Sequence, residues 1–382
     1  MNKICKFLLA STMTICMACN SSTEKTTETI TVDLDNTIEY NELVSKIELV
    51  PLDFTEDAYM ANVNRCTLNK DHYMFVDSKD IIYFFDKDGH LVSNSRKVFG
   101  NGSGEYNMCL CASYNTYSKC FEVVTPTGMK IYDRNFKYIR TTHFDKENEG
   151  NGRNKSFFKY IHDVDGKHQI LMTSGIANTP FHMYLYNSAE GKTEKDKEPE
   201  GFFGITMQEN CISDGDFLAM PWLSYTFYKI DPKSLDITEF VALDFGDNEV
   251  KKEDVEKFGN NEQQKAMFFM KCEKPLPLRT FKSGDQLVSV LKCGAKREDF
   301  KLLVANLSDK KAVVANTYNN KIKMPIANNF EDGVIYAYTT DMEIDQCIDE
   351  RLLTDKSKEI KKGLARKGNT VIVKYYIKRN DN

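Results

Sequence analysis

The sequence predicts an all-β fold built from repeated sheets. Tyrosine and phenylalanine, which favour strands, are abundant, with 19 Tyr and 24 Phe among 382 residues. One segment design also recurs along the chain: an alternating apolar run, an Asp or Asn, a short polar turn and a second run. The hydrophobic fraction of 41% is sufficient for a sizeable core.

The repeated design is clearest in residues 81–92, "IIYFFDKDGHLV". Asp88-Gly89 is a hairpin signal, because a tight turn needs a positive φ that aspartate and glycine tolerate. The design returns four more times, and the apolar run at 370–380 would supply a sixth unit. The five anchor positions are Asp86, Asp133, Asn187, Asp231 and Asn306.

Six such units over residues 30–382 predict a six-bladed β-propeller, since four short strands with turns fill one unit and radial repetition leaves only short edges. A seven-bladed propeller and a pair of β-sandwiches are the competing interpretations. Apolar residues at helical spacing predict small helical insertions near 253–272 and 339–366, two helices in the second case. The strands at 28–34 and 370–377 are expected to lie in the same or adjacent blades and so to close the ring.

The N-terminus has the pattern of an export signal. Two lysines precede a short apolar run that cannot span a bilayer, so residues 1–18 are predicted to be a signal peptide. Ala18 precedes Cys19 in a pattern that resembles the bacterial lipobox, although Cys16 stands where that pattern prefers Leu, Val or Ile. Cys19 is therefore the predicted lipidation site. The polar residues 19–29 are expected to form a flexible tether before the propeller domain, 30–382.

The stretch "FGNGSGEY", residues 99–106, holds Gly100, Gly102 and Gly104. Its spacing differs from that of the phosphate-binding loops, and the residues after it are strand-like rather than helical. These glycines are therefore predicted to form a structural turn between two blades, with a positive φ at Gly102 and Gly104.

Composition restricts the partners. With a formal charge of −5 and no basic block, the chain is not expected to bind nucleic acid, and membrane contact is expected only through the lipid anchor. The cysteines after the signal region lack metal-site spacing and are expected to be buried small hydrophobes. A metal site and a hairpin are both possible interpretations of "HDVDGKH", 162–168, and the hairpin is favoured. No catalytic residue, cofactor or metal ligand is assigned.

A longer match is more specific. The segment "YFFDKDGHLVSNSRKVFGNGSGEY" resembles the signature of the bacterial six-bladed β-propeller lipoproteins, an NHL-like group, with Ser103 in place of a proline. Residues 47–78, 226–247 and 368–378 are similar to other segments of that group, with Thr370 again replacing a proline. The resemblance covers nearly the whole mature chain. It implies this fold and export, and it assigns no catalytic residues.

The expected function is that of an exported, lipid-anchored and monomeric binding module, whose partner is an envelope protein, a peptide or a glycan. The alternative is a hydrolase or lyase with a metal in the central channel, as found on related propellers, which is an argument from fold alone. A third interpretation is a structural subunit of an envelope complex. Three or four Asp, Glu, Asn or His side chains converging on the axis would favour the enzyme.

Overall fold

A computed structural model describes residues 27–144, 158–173, 181–199, 212–213, 217–220, 224–259, 262–319 and 322–378. These residues form six small sheets arranged as a six-bladed β-propeller. The seven-bladed and double-sandwich interpretations are therefore wrong. The first strand of each blade lies nearest the central channel, and later strands lie progressively further out.

The chain enters through three strands that join blades formed much later in the sequence. They are β1 (Glu28–Thr31), β2 (Thr37–Glu39) and β3 (Val44–Pro51), with the short helix α1 (Tyr40–Leu43) before β3.

Blades 1 to 3 are four-stranded antiparallel meanders, each continuous in sequence. Blade 1 contains β4 (Val63–Leu68), β5 (His72–Asp77), β6 (Ile82–Asp86) and β7 (Leu91–Asn94). Blade 2 contains β8 (Cys111–Asn115), β9 (Cys120–Thr125), β10 (Gly128–Tyr132) and β11 (Tyr138–His143). Blade 3 contains β12 (Phe158–Asp163), β13 (His168–Thr173), β14 (Met183–Asn187) and β15 (Lys192–Lys197).

Blades 4 to 6 each receive one strand from the N-terminal segment. Blade 4 contains β16 (Ile212–Ser213), β17 (Phe217–Ala219), β18 (Thr226–Ile230) and β19 (Ile237–Asp244), with β1 parallel to β19. Blade 5 contains β20 (Leu276–Ser283), β21 (Gln286–Lys292), β22 (Phe300–Asn306) and β23 (Ala312–Asn316), with β2 parallel to β23. A small hairpin follows, β24 (Tyr318–Asn319) and β25 (Ile322–Lys323). Blade 6 contains β26 (Asn329–Glu331), β27 (Val334–Thr340) and β28 (Thr370–Ile377), with β3 outermost.

Both ends of the chain meet in blade 6, but not through the strand expected. β3 pairs antiparallel with β28 from Val371 opposite Pro51 to Ile377 opposite Val44. The expectation that 28–34 would lie in the same blade as 370–377, or in an adjacent one, is wrong, because β1 lies on blade 4 and blade 5 intervenes. The N-terminal segment instead runs along the outside of three consecutive blades before it closes the ring.

The repeated Asp and Asn residues have one structural role. Each ends the third strand of its blade, and its side-chain oxygen accepts hydrogen bonds from two backbone N–H groups of the turn that follows, as in an Asx-turn. The acceptors are Asp86, Asp133, Asn187, Asp231 and Asn306, with donor distances between 2.7 and 3.3 Å. Blade 6 needs no such turn, because its third and fourth strands come from opposite ends of the chain.

The core lies between the blades. Six apolar clusters each join residues of two neighbouring blades, including one between blade 6 and blade 1. Alternation along β5 produces this arrangement, since Tyr73 and Phe75 pack towards blade 6 while Met74 and Val76 pack towards blade 2. Burying each such side chain stabilises the fold by about 1.5–3 kcal/mol. Because these clusters form a complete circle, the pairing of β3 with β28 in blade 6 is needed to hold the ring closed.

Both helical insertions are present. α2 (Lys252–Glu256) and α3 (Glu262–Lys271) lie between blades 4 and 5. α4 (Ile344–Cys347) and α5 (Asp355–Gly363) lie between β27 and β28, and α5 contacts β3, where Ser357 Oγ accepts from the backbone N–H of Leu49 at 3.0 Å. The first helix of this pair is much shorter than the pattern at 339–353 predicted, because Thr339 and Thr340 extend β27. Single turns of 3-10 helix occupy Arg96–Val98, Gly246–Asn248, Arg297–Asp299 and Glu350–Leu352.

Candidate functional site

A cavity of about 650 Å³ occupies one end of the central channel. It lies on the face that carries the turns between first and second strands, and residues of all six blades line it. Its wall is mixed, with charged, aromatic and small polar side chains. Prominent among them are Arg65, Thr67, His72, Ser113, Tyr114, Lys159, His162, Asp163, Phe217, Phe281, Asn329 and Phe330.

A polar cluster interrupts the apolar interface between blades 2 and 3 at the cavity wall. Ser113 and Glu122 are cross-strand partners in blade 2, and Asp163 and Gln169 are cross-strand partners in blade 3. Across the interface, Ser113 Oγ donates to Asp163 Oδ1 at 3.1 Å, and Gln169 Nε2 donates to Glu122 Oε1 at 2.9 Å. Asn115 Nδ2 also donates to Glu122 Oε1, at 3.1 Å. The two blades are therefore joined here by side-chain hydrogen bonds.

The environment of the two carboxyl groups in this cluster favours one shared proton. Glu122 is 1% exposed, and its carboxyl is in hydrogen-bond contact with that of Asp163. Burial, together with the nearby charge of Asp163, raises the pKa of Glu122 far above its usual range, and burial raises the pKa of Asp163. Two carboxylates this close cannot both remain ionised when withdrawn from water. A proton on Glu122 Oε2, donated to Asp163, gives that oxygen the partner it otherwise lacks among the described residues.

Two histidines on the wall are held neutral. His162 stacks on Phe217 across the interface with blade 4, with ring centroids 4.5 Å apart, and burial lowers its pKa to about 4. His72 lies between Phe84 and Tyr114, and burial lowers its pKa to about 4 as well. Neutral imidazoles can accept as well as donate a hydrogen bond, so both enlarge the polar, uncharged part of the wall.

The segment "HDVDGKH" forms a hairpin, as favoured from its sequence, between β12 and β13. Asp165 Oδ1 accepts from the backbone N–H groups of Lys167 and His168 at 2.7 and 2.8 Å. His168 pairs with Asp165 and Glu194, whereas His162 stacks on Phe217 and has no carboxylate partner among the described residues. Throughout the described residues, no three His, Cys, Asp or Glu side chains are placed to hold a metal ion.

The glycine stretch at 99–106 lies between β7 and β8, and Gly100, Gly102 and Gly104 occupy bends and turns there. The positive φ expected at Gly102 and Gly104 is not found. Close packing requires glycine at Gly104, where a Cβ would lie 2.9 Å from Tyr138 Cγ, whereas a Cβ on Gly100 would meet only the movable end of the Glu105 side chain, 2.2 Å from Oε2. Gly102 N–H donates to the Glu105 carboxylate at 2.9 Å, so Glu105 takes the place that a bound anion would need.

The cysteines have the buried character expected. The described ones are all free thiols, of which Cys66, Cys109, Cys111 and Cys272 are buried. Burial raises the pKa of Cys109 to about 12, which leaves the thiol unreactive. Cys19 and Cys211 lie outside the described residues, as do the signal segment and most of the tether.

The polar pair could hardly have been found from the sequence. Its members come from "CFEVVT" and "KYIHDVDG", which gave no common motif. The one local signal is Glu122 itself, a charged residue within an apolar strand.

Fold and cavity define the class: a six-bladed propeller with a polar cavity on its axis. Within that class, the chain belongs to the family described as Domain of unknown function (DUF4934), whose model matches residues 27–376. No curated protein sequence matches it.

Two crystal structures have a similar fold. One is a Bacteroides fragilis NCTC 9343 protein whose name assigns it to export, at 12% identity and a TM-score of 0.66, covering 92% of this chain and 99% of that one. The other is a member of the DUF4221 family from Bacteroides vulgatus ATCC 8482, at 11% identity and a TM-score of 0.56, covering 88% and 97%. At these identities the likeness extends to the fold.

Proposed function

We propose that this protein is an exported, lipid-anchored propeller of the NHL-like kind that binds a peptide or glycan of the cell envelope in its axial cavity. The cavity carries the proposal. Its volume of about 650 Å³ and its mixture of aromatic faces with fixed polar groups are typical of ligand sites.

Export and anchoring rest on the N-terminal pattern, the lipobox-like Cys19 and the name of the Bacteroides fragilis neighbour. No helix in the described ranges has the length and apolar character needed to cross a bilayer. We assign membrane attachment to an acyl group on Cys19, on the strength of the lipobox-like pattern. The tether places the propeller within reach of soluble envelope components.

The anchor is tested by fractionating cells that express the wild type or Cys19→Ala. We expect the wild type in the membrane fraction and the variant in the soluble fraction. A Ser22→Ala variant, changed three residues after Cys19 and outside the lipobox-like pattern, is the control and should stay with the membrane. A wild-type protein that is wholly soluble after lysis would contradict the anchor.

Binding in the cavity is tested with Thr67→Trp. Thr67 lies on the inner strand β4, is exposed and lines the cavity, so an indole there fills the space without entering the core. Thr238→Trp adds the same group on the exposed outer strand β19 as a matched control. On arrays of envelope peptides and glycans, signals of the wild type should disappear in Thr67→Trp and persist in Thr238→Trp. Equal signals from all three would contradict a cavity site.

The metal-dependent hydrolase or lyase is not proposed. Its donor set would need several acidic or histidine side chains converging on the axis. Among the described residues, Asp163 instead meets Glu122, His162 stacks on Phe217, and His168 pairs with Asp165.

A further inference from the structure

Asp163 differs from the other carboxylates of the cavity wall. Glu331 and Asp332 pair with Lys70 at 3.2 and 3.0 Å, and Asp71 lies in an exposed turn. Asp163 is only partly exposed, and no described Lys, Arg or His forms an ion pair with it. A carboxylate withdrawn from water without a cation nearby favours whatever positive charge can reach it.

Two buried oxygens beside Asp163 also lack a hydrogen-bond donor among the described residues. Gln169, its cross-strand partner, is fully buried, and its Oε1 has no partner among the described residues. Glu122 Oε2 is likewise unpartnered unless it carries the shared proton. Of these three groups only Asp163 lines the cavity, so its carboxylate is the acceptor that a ligand's N–H donors can reach, while the unpaired oxygens behind it favour a positive charge there.

We infer that the wall at Asp163 is a subsite for a primary ammonium group of the ligand. This inference rests on the proposed function, because the ammonium belongs to the molecule bound in the cavity. When the cavity is empty, the shared proton supplies the positive charge. When a ligand is bound, its ammonium supplies that charge next to Asp163.

The geometry favours ammonium over other cations. Ser113 already donates to Asp163 Oδ1, and Glu122 contacts the same carboxyl, so the two-pronged pairing that a guanidinium prefers is obstructed. A metal site is not favoured, because no three His, Cys, Asp or Glu side chains of the described residues converge here. An ammonium is a compact charge with three donors and needs only a few acceptors.

The charged groups around the subsite set its pH dependence. Arg140 on β11 acts on Glu122, while its Nη2 donates to the Ser188 carbonyl oxygen at 3.4 Å. Lys159 lies four residues before Asp163, at the irregularity in β12, and is exposed. An added ammonium lowers the proton affinity of the carboxyl pair, so binding releases part or all of the shared proton.

The test uses full-length protein in detergent and matched probes that differ in one charge. Trialanine amide and glucosamine carry an ammonium at about pH 6.5, whereas their N-acetyl forms do not. We expect titration calorimetry to show at least about tenfold tighter binding of the charged form, as one charge-assisted hydrogen bond provides. The two pairs distinguish a peptide amino terminus from an amino sugar as the source of the ammonium.

Three variants distinguish the roles of Asp163, of Glu122 and of a control carboxylate in binding the charged probes. Asp163→Asn should abolish the preference for charged probes, with circular dichroism confirming an unchanged fold. Glu359→Gln, which alters an exposed carboxylate paired with Lys362 on α5 and outside the cavity lining, should keep the preference. Glu122→Gln should bind the charged probe without proton release, measured by comparing heats in buffers of different ionisation enthalpy.

Equal binding of charged and neutral probes would overturn the inference, as would wild-type preference in Asp163→Asn or no response to any probe at millimolar concentration. If charged and neutral probes bind equally and Thr67→Trp abolishes both, the cavity site stands and the ammonium subsite fails. If Thr67→Trp binds as the wild type does, the proposed function fails as well.

Discussion

Replacing Glu122 with glutamine is expected to stabilise the protein, and increasingly so as the pH rises. Glu122 Oε1 accepts from Asn115 and Gln169, and its other oxygen faces the carboxyl of Asp163. The amide of the variant keeps an oxygen for the same two donors. Its NH2 group donates to Asp163 permanently, without needing a proton from solvent.

The pH dependence of the free energy of unfolding follows from the direction of the pKa shift of Glu122. Burial raises the pKa of Glu122, so the folded protein keeps a proton that the unfolded chain has already lost. Folding then takes up a proton, and the free energy of unfolding falls as the pH rises, by up to about 1.4 kcal/mol for each pH unit between the two pKa values. The variant lacks this dependence. Its advantage over the wild type should therefore grow by up to about 3 kcal/mol across two pH units.

The assay is urea unfolding of both proteins at about pH 6, 7 and 8, followed by circular dichroism. His72 and His162 also titrate differently on unfolding, but they are the same in both proteins and cancel in the difference. Glu331→Gln serves as the control, since that carboxylate is 28% exposed and paired with Lys70, and its difference from the wild type should stay constant. A constant difference for Glu122→Gln, or lower stability at every pH, would refute the shared proton.

Two further predictions concern the fold. Gly104→Ala should lower the free energy of unfolding by roughly 1–2 kcal/mol, because its Cβ would meet the Tyr138 ring. Gly363→Ala is the control and should not lower it, because the space around Gly363 is open. Equal melting temperatures of the two variants would contradict the packing argument. A chain that begins at residue 52 loses β1 to β3 and should aggregate through the exposed edge of β28, whereas a chain that begins at residue 36 loses only β1 and should remain monomeric. Size-exclusion chromatography distinguishes these outcomes, and a monomeric chain from residue 52 would contradict closure by β3.

The repeat was predictable because its signal is local. Each Asp or Asn anchors a turn within a few residues of itself, as Asp86 does for His90, so the hairpin is encoded in one short segment. Gly89 adds a second local signal, because its φ of +93° lies in the left-handed region that favours glycine. A Cβ built on Gly89 would also lie 2.3 Å from Pro51 O. Ring closure was not predictable in detail. Residues 28–34 and 44–51 both alternate, and only pairing with distant strands decides which one joins β28.

The candidate site depends on relations that no single segment contains. Glu122 and Asp163 lie on different strands of different blades, and only the stacking of those blades brings them together. In the glycine stretch at 99–106, the prediction about backbone conformation was wrong. Positive φ is absent at Gly102 and Gly104, and glycine at position 104 is required by the approach of the Tyr138 ring, which a backbone argument does not reveal.

The most direct test of a ligand-binding cavity is native mass spectrometry of the protein purified from its own cell envelope. Wild-type protein and Thr238→Trp should each carry an additional bound mass that mild activation removes, and Thr67→Trp should lack it. A bound mass that persists in Thr67→Trp, or wild-type protein that carries none, would contradict the account.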